Sequence, residues 1–264
     1  MRPDGDARDL SKYSVWRDDN DCMATFISNV GASIGVRRNV SDEIVLTIPG
    51  FLAGRGSLQR ANESIRSAGY QCRQWDYASL CGSLSKHAGR LSRDLRELAE
   101  CGSISRIHFV AHSMGAIIAR AAIHASGLES RFFRKCGNLV MLAPPNEGSK
   151  LTRIPLGPFA PWFPQLRELS ESSDSFVRQL PTLRYMPVGV IAAQRDFVVE
   201  PAATHLPGER AHATLPTTHQ ALISDPEAIE MSIRFLSTAS FDVAPATLPF
   251  PRPVQRRPVH SAAA

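Results

Sequence analysis

Between residues 41 and 238 the apolar positions fall into blocks of two kinds. Short apolar runs at 43–48, 107–110, 138–142 and 187–193 are too brief for helices and read as buried strands; 70–75 reads as a further strand and 211–215 as a weaker last one. Longer blocks with helical spacing lie between them. Residues 57–68 are stopped by Gly69; 83–100 carry Leu84, Leu91, Leu95 and Leu98 on one face, with Gly102 beyond; 116–123 are almost wholly apolar; 226–236 start with Asp225 as cap and Pro226 at the first position. Strands alternating with helices predict an α/β fold with a mostly parallel sheet covered on both faces.

One interval breaks the rhythm. Residues 144–186 are too long for a simple connection and hold Pro155, Pro158, Pro161 and Pro164 at three-residue spacing, the polyproline repeat. Phe159, Trp162 and Phe163 stand among these prolines and are costly to expose together, so the interval reads as a small cap over an apolar substrate site rather than as a recognition peptide. Residues 1–40 show no clear pattern and read as an N-terminal extension. Residues 239–264 are rich in Pro and Ala and read as a disordered tail.

Composition adds exclusions. The net charge of +5 suggests nucleic acid, but the basic residues are scattered and form no stripe with aromatics, so no nucleic-acid partner is expected. The five cysteines (Cys22, Cys72, Cys81, Cys101, Cys136) include no C-x-x-C pair, which favours reduced thiols over a disulfide framework or a zinc site. An acidic start without an apolar run gives no signal peptide, and no apolar stretch is long enough to span a bilayer. The expectation is a cytoplasmic protein without a transmembrane segment, compatible with transient contact at a membrane surface.

The chemistry is concentrated at Ala111-His112-Ser113-Met114-Gly115, between the strand at 107–110 and the helix at 116–123. A serine flanked by small residues at a strand-to-helix turn is a nucleophile elbow, here with Ala111 in place of the leading glycine. A serine hydroxyl needs a base and the base an orienting carboxylate, in the chain order Ser, acid, His. Asp196 follows the strand at 187–193 and His219 follows the strand at 211–215, both past strand ends. Among the rival acids, Asp174 and Asp225 read as helix caps and Glu200 is four residues farther on. Of the histidines, His205 and His212 precede or sit in the last strand. His112 is expected to point away from the serine at so tight a turn, and His108 to be a satisfied core histidine. The oxyanion donors are expected to be the backbone N–H of Met114 and that of Phe51 or Leu52, in the glycine-rich loop at 49–56. That loop has neither phosphate-binding glycine pattern, so a nucleotide is not expected.

These residues resemble the α/β-hydrolase superfamily, in its bacterial lipase/esterase branch related to inositol-lipid deacylases. The resemblance rests on Ile48-Pro49-Gly50-Phe51, residues 108–115, the run Met141-Leu142-Ala143-Pro144-Pro145-Asn146-Glu147-Gly148-Ser149, and residues 187–191 leading to Asp196 and His219. It spans about residues 41–238 and implies an α/β-hydrolase fold with the proline-asparagine run beside the active site. Two departures stand out: Pro49 where the family has His before the oxyanion glycine, and a short segment before the acid.

The reading is a serine hydrolase of carboxylic esters, with Ser113, Asp196 and His219 as triad and Phe51 and Met114 as oxyanion donors. Leu52, Phe159, Trp162 and Phe163 are expected to contact a lipid or other apolar acyl ester, with neither cofactor nor metal. An acyltransferase or thioesterase using the same groups, or a non-catalytic binding protein with this fold, are the alternatives.

Overall fold

The computed structural model describes residues 42–54, 56–127, 130–150 and 164–242. The expectations for residues 1–40, for Phe159, Trp162 and Phe163, and for the tail beyond 242 lie outside these residues. Six strands form one sheet: β1 Glu43–Ile48, β2 Gln71–Gln74, β3 Arg106–His112, β4 Cys136–Leu142, β5 Val188–Ala193 and β6 Ala211–Leu215. Their order is β2-β1-β3-β4-β5-β6 and every neighbouring pair is parallel. The main helices are α1 Gln59–Ser67, α2 Leu84–Glu100, α3 Met114–Ala125 and α7 Pro226–Thr238; α4 Arg131–Lys135, α5 Pro164–Glu168 and α6 Phe176–Gln179 are short.

A parallel sheet must bury both faces, and the two-residue period of a strand sorts its side chains between them. Ile44, Leu46, Ile48, Ile107, Phe109, Leu139, Met141, Val188 and Val190 pack with residues of α2 and α3, such as Leu91, Leu95, Ile117 and Ile118. The alternate positions Val45, Val110, Val140, Leu142, Ile191 and Ala193 pack with Ile65 of α1 and with Ala228, Phe235 and Leu236 of α7. The central strands β1, β3, β4 and β5 therefore read as near-continuous apolar runs. Asp225 caps α7 as expected, its Oδ1 accepting from the N–H groups of Glu227 and Ala228 at 2.9 and 3.3 Å, a contact worth about 1 kcal/mol.

The chain starts in β1, adds β2 on one side, then crosses to the other side for β3. The reversal falls between β1 and β3, and ligands of open α/β sheets bind beyond the carboxyl ends of the strands at such a point. The glycine-rich loop after β1 and Ser113 after β3 flank it. Of the interval at 144–186, the described part packs into the main core: Leu169, Val177, Leu183 and Met186 join the cluster of α2 and α3. Glu168 accepts a hydrogen bond from the Leu84 N–H at 2.6 Å, tying α5 to the start of α2.

Candidate active site

Ser113 lies between the end of β3 and the first turn of α3 with φ 51° and ψ −125°, a conformation that a residue with a Cβ adopts at a cost of about 1–3 kcal/mol. Two constraints hold it there. Its N–H donates to Leu142 O at 2.8 Å, and Gly115 lets α3 abut the end of β1, since a Cβ there would stand 2.3 Å from Pro49 O. Ala111 is fully buried and the turn forms around it.

The His219 ring bridges two groups distant in sequence. Its Nε2 is 2.9 Å from Ser113 Oγ and its Nδ1 is 2.6 Å from Asp196 Oδ2. The second oxygen, Asp196 Oδ1, accepts the N–H groups of Val198 and Val199 at 2.7 and 2.8 Å, so the carboxylate is held on both sides while its side chain is closed to solvent. A carboxylate on Nδ1 fixes the N–H there and leaves the Nε2 lone pair for the serine hydroxyl. The rival groups are engaged elsewhere: Asp225 caps α7, Glu200 pairs with Lys150, Asp174 bonds Ser172, His205 bonds Glu209, and His212 bonds Thr204.

The loop after β1 passes close to the serine. A Cβ on Gly50 would stand 3.1 Å from Ser113 Cβ and 2.8 Å from His112 Nδ1, so only glycine fits. Tyr77 donates its hydroxyl to Pro49 O at 2.9 Å and steadies the loop. Of the two expected donors here, the Leu52 N–H is used by Ser79 Oγ at 3.1 Å, while the Phe51 N–H has no partner among the described residues. The Met114 N–H, at the first position of α3, is a helix-start donor that no helical carbonyl can reach. Leu52 is 63% exposed and adopts φ 56°; among the described residues, Leu80 and Phe197 are the other large apolar side chains left exposed.

The proline-asparagine run after β4 braces the acid loop. Ser149 Oγ donates to Val198 O at 2.8 Å, the Glu147 N–H to Ala203 O at 3.0 Å, and Asn146 Nδ2 to Thr204 O at 2.8 Å. Asn146 Oδ1 in turn accepts from Arg120 Nη1 at 3.3 Å, and Arg120 Nε reaches Pro181 O at 3.1 Å. Arg120 is a buried cation with carbonyl partners, and burial pulls its pKa down to about 10. It was recognisable as the one charge in the apolar helix, yet its partners could not be read from spacing.

His112, expected to point away from the serine, packs its ring 4.8 Å from that of His219, and its Nε2 donates to the His219 carbonyl at 3.0 Å. Burial, reinforced by the neighbouring His219, drives the His112 pKa down to about 3, so the ring is neutral and its N–H is a permanent donor. His108, four residues earlier, is the satisfied core histidine expected: Nε2 lies 3.2 Å from Glu43 and Nδ1 accepts the Asn138 N–H at 3.0 Å.

With this geometry in view, the comparisons are informative. A lipase of Bacillus licheniformis in its mature form aligns with a TM-score of 0.56 at 14% identity, covering 80% of this chain and 96% of that one. Lipase B of Aspergillus fumigatus aligns with a TM-score of 0.58 at 16% identity, over 75% of this chain and 53% of that one. A type II thioesterase of the yersiniabactin pathway aligns with a TM-score of 0.54 at 17% identity, over 77% and 96%. Among curated proteins, none matches the chain. No helix among the described residues is long and apolar enough to cross a membrane. The alpha/beta hydrolase family model matches residues 36–260, and the six-stranded parallel sheet carries that fold: the chain belongs to the alpha/beta hydrolase family.

Proposed function

We propose that the protein is a serine hydrolase of carboxylic esters with an apolar acyl group. The observation that carries the reading is the unbroken relay from Asp196 through His219 to the Ser113 hydroxyl, at 2.6 and 2.9 Å. In this reading Ser113 Oγ attacks the ester carbonyl as His219 Nε2 takes its proton. Asp196 stabilises the imidazolium and keeps the ring in register. The Phe51 and Met114 N–H groups receive the oxyanion, each such donor being worth about a hundred- to a thousandfold in rate. Collapse of the tetrahedral adduct expels the alcohol, which takes the proton from His219. Water then attacks the acyl carbon, giving its proton to the same ring; collapse breaks the bond to Ser113 Oγ, which takes that proton back from His219 as the acid leaves.

The apolar character of the substrate is supported by exposed Leu52 in the loop after β1 and by the aromatic residues Phe159, Trp162 and Phe163 of the sequence. Burying an acyl chain contributes about 0.8 kcal/mol per methylene, a few-fold in kcat/KM for each carbon added. The test is kcat/KM across nitrophenyl esters of two to twelve carbons for the wild type and Trp162→Ala. A profile that rises with chain length and flattens in the mutant is expected; a flat wild-type profile, or an unchanged one in a folded mutant, contradicts the cap.

A second reading, a thioesterase, is favoured by the likeness to the type II thioesterase. An acyl thioester assayed beside the matching oxygen ester separates the two. A non-catalytic binding role has no use for a relay in which all three members are connected.

A further inference from the structure

Three side chains that the proposed chemistry does not use converge between the acid loop and the edge strand. His205, Glu209 and His212 each offer one ligand atom, and these three atoms lie within 4.8 Å of one another. The imidazoles of His205 and His212 stack with centroids 3.8 Å apart and planes 17° from parallel. Glu209 binds His205 Nδ1 through Oε1 at 2.6 Å, and its Oε2 accepts the Leu206 N–H at 2.9 Å, which fixes the carboxylate in place. Arg210, the nearest cation in sequence, turns its Nε toward Ala239 O and leaves Glu209 to the histidines.

We propose that His205, Glu209 and His212 form a binding site for one divalent transition cation of the zinc class, separate from the candidate active site. The donor set of two imidazoles and a carboxylate suits zinc, whereas calcium and magnesium require oxygen ligands. The tautomer of His212 is already set. Thr204 gives its single hydroxyl proton to Pro201 O at 2.6 Å, so His212 Nε2 donates to Thr204 Oγ1 at 2.9 Å and the ring lone pair stays on Nδ1. A metal-binding histidine is oriented in this way by a partner on its other nitrogen.

Some closure is needed. Bonds of about 2.0–2.2 Å in a tetrahedron place donors roughly 3.3 Å apart, with water as the fourth ligand. The His205 side chain is 55% exposed and can swing to meet that requirement, whereas Glu209 and His212 are half-buried anchors. The site would tie the turn at 205–209 to β6. That turn lies on the connection between Asp196 and His219, so the cation would stiffen the path joining acid and base without touching either.

The test uses full-length, untagged protein stripped with a chelator and dialysed against zinc sulfate near about pH 7.5. One zinc per chain is expected, with Tm raised by about 5–10 °C at a hundredfold excess over Kd. His205→Gln should lower the affinity at least about tenfold, as should His212→Gln, while His124→Gln on the exposed end of α3 leaves it unchanged. Because His205 is exposed, its variant remains informative even if His212→Gln fails to fold. Absence of stoichiometric zinc, wild-type affinity in His205→Gln, or displacement by equimolar calcium or magnesium would each overturn the proposal. The readout is binding without substrate, so it stands or falls apart from the esterase reading.

Discussion

The two ends of the sheet are built to different rules. At the carboxyl end, Leu52, Ser113 and Ala143 follow β1, β3 and β4, and all three have positive φ, at 56, 51 and 45°. At the amino end the polar groups are simply paired: His108 lies between Glu43 and Asn138, and Gly137 makes room for its ring. β3 carries one buried histidine at each end of this contrast, His108 and His112, on the same face. Both have pKa values lowered chiefly by burial; Glu43 opposes the effect at His108, while at His112 the His219 ring adds to it and the His219 carbonyl and Asp196 oppose it. Three of the four positive-φ residues other than glycine among the described residues follow strands at the carboxyl end, the fourth being Ala239 after α7, and clustering of this kind is a common mark of a functional site.

The sharpest way to break the contrast is at the acid. Asp196→Asn removes the charge and the tautomer control at His219 and is expected to lower ester kcat by about 10⁴-fold with the fold intact. Glu200→Gln, four residues on and paired with Lys150, should stay within a few-fold of wild type. Steady-state kinetics on the pair decides whether the acid is correctly identified, and the reverse ranking would move it.

Next in size is Gly50→Ala. The new methyl would meet His112 Nδ1 and Ser113 Cβ, so the loop must shift away from the serine. A misplaced oxyanion donor costs about 10²–10³ in kcat, with a smaller change in KM. Gly137→Ala crowds His108 at the other end and should lower Tm while leaving kcat of the folded protein near wild type. If both variants reduce kcat equally, the two ends are not functionally distinct.

A smaller effect comes from acid. The folded pKa of His112, about 3, lies below the unfolded value of about 6.5, so the unfolded chain binds the extra proton. The stability contributed by the neutral ring is complete above about pH 6.5 and is lost as pH falls toward 3. Between pH 7 and 5 the loss from this group is about 2 kcal/mol. Urea unfolding of wild type and His112→Gln at both pH values should show a shallower decline in the variant. His108 acts in the same direction, so some decline remains.

Much of this site was readable in the sequence because its parts are local. Ser113 is marked by the residues on either side of it, and the strand and helix around it are themselves strong patterns. Asp196 and His219 could be placed because each follows a strand whose end was visible. The chain order then limited the choice. What could not be read depends on contacts between distant residues: the His112 bond to the His219 carbonyl spans 107 positions, and Arg120 reaches Pro181 across 61. A histidine beside Ser113 gives no sign in the sequence of which neighbour its ring will meet. The engagement of Leu52 by Ser79 was equally hidden, although it favours Phe51 of the two candidate donors.

The central claim is that Ser113 is the activated nucleophile, and a fluorophosphonate probe tests it directly. Incubation followed by peptide mass spectrometry should place a single adduct on the peptide containing Ser113, with no labelling of Ser113→Ala. Labelling should be slowed by at least about a thousandfold in His219→Ala, because an unpartnered serine hydroxyl is a poor nucleophile. An adduct on another residue, or labelling of Ser113→Ala at the wild-type rate, would contradict the account.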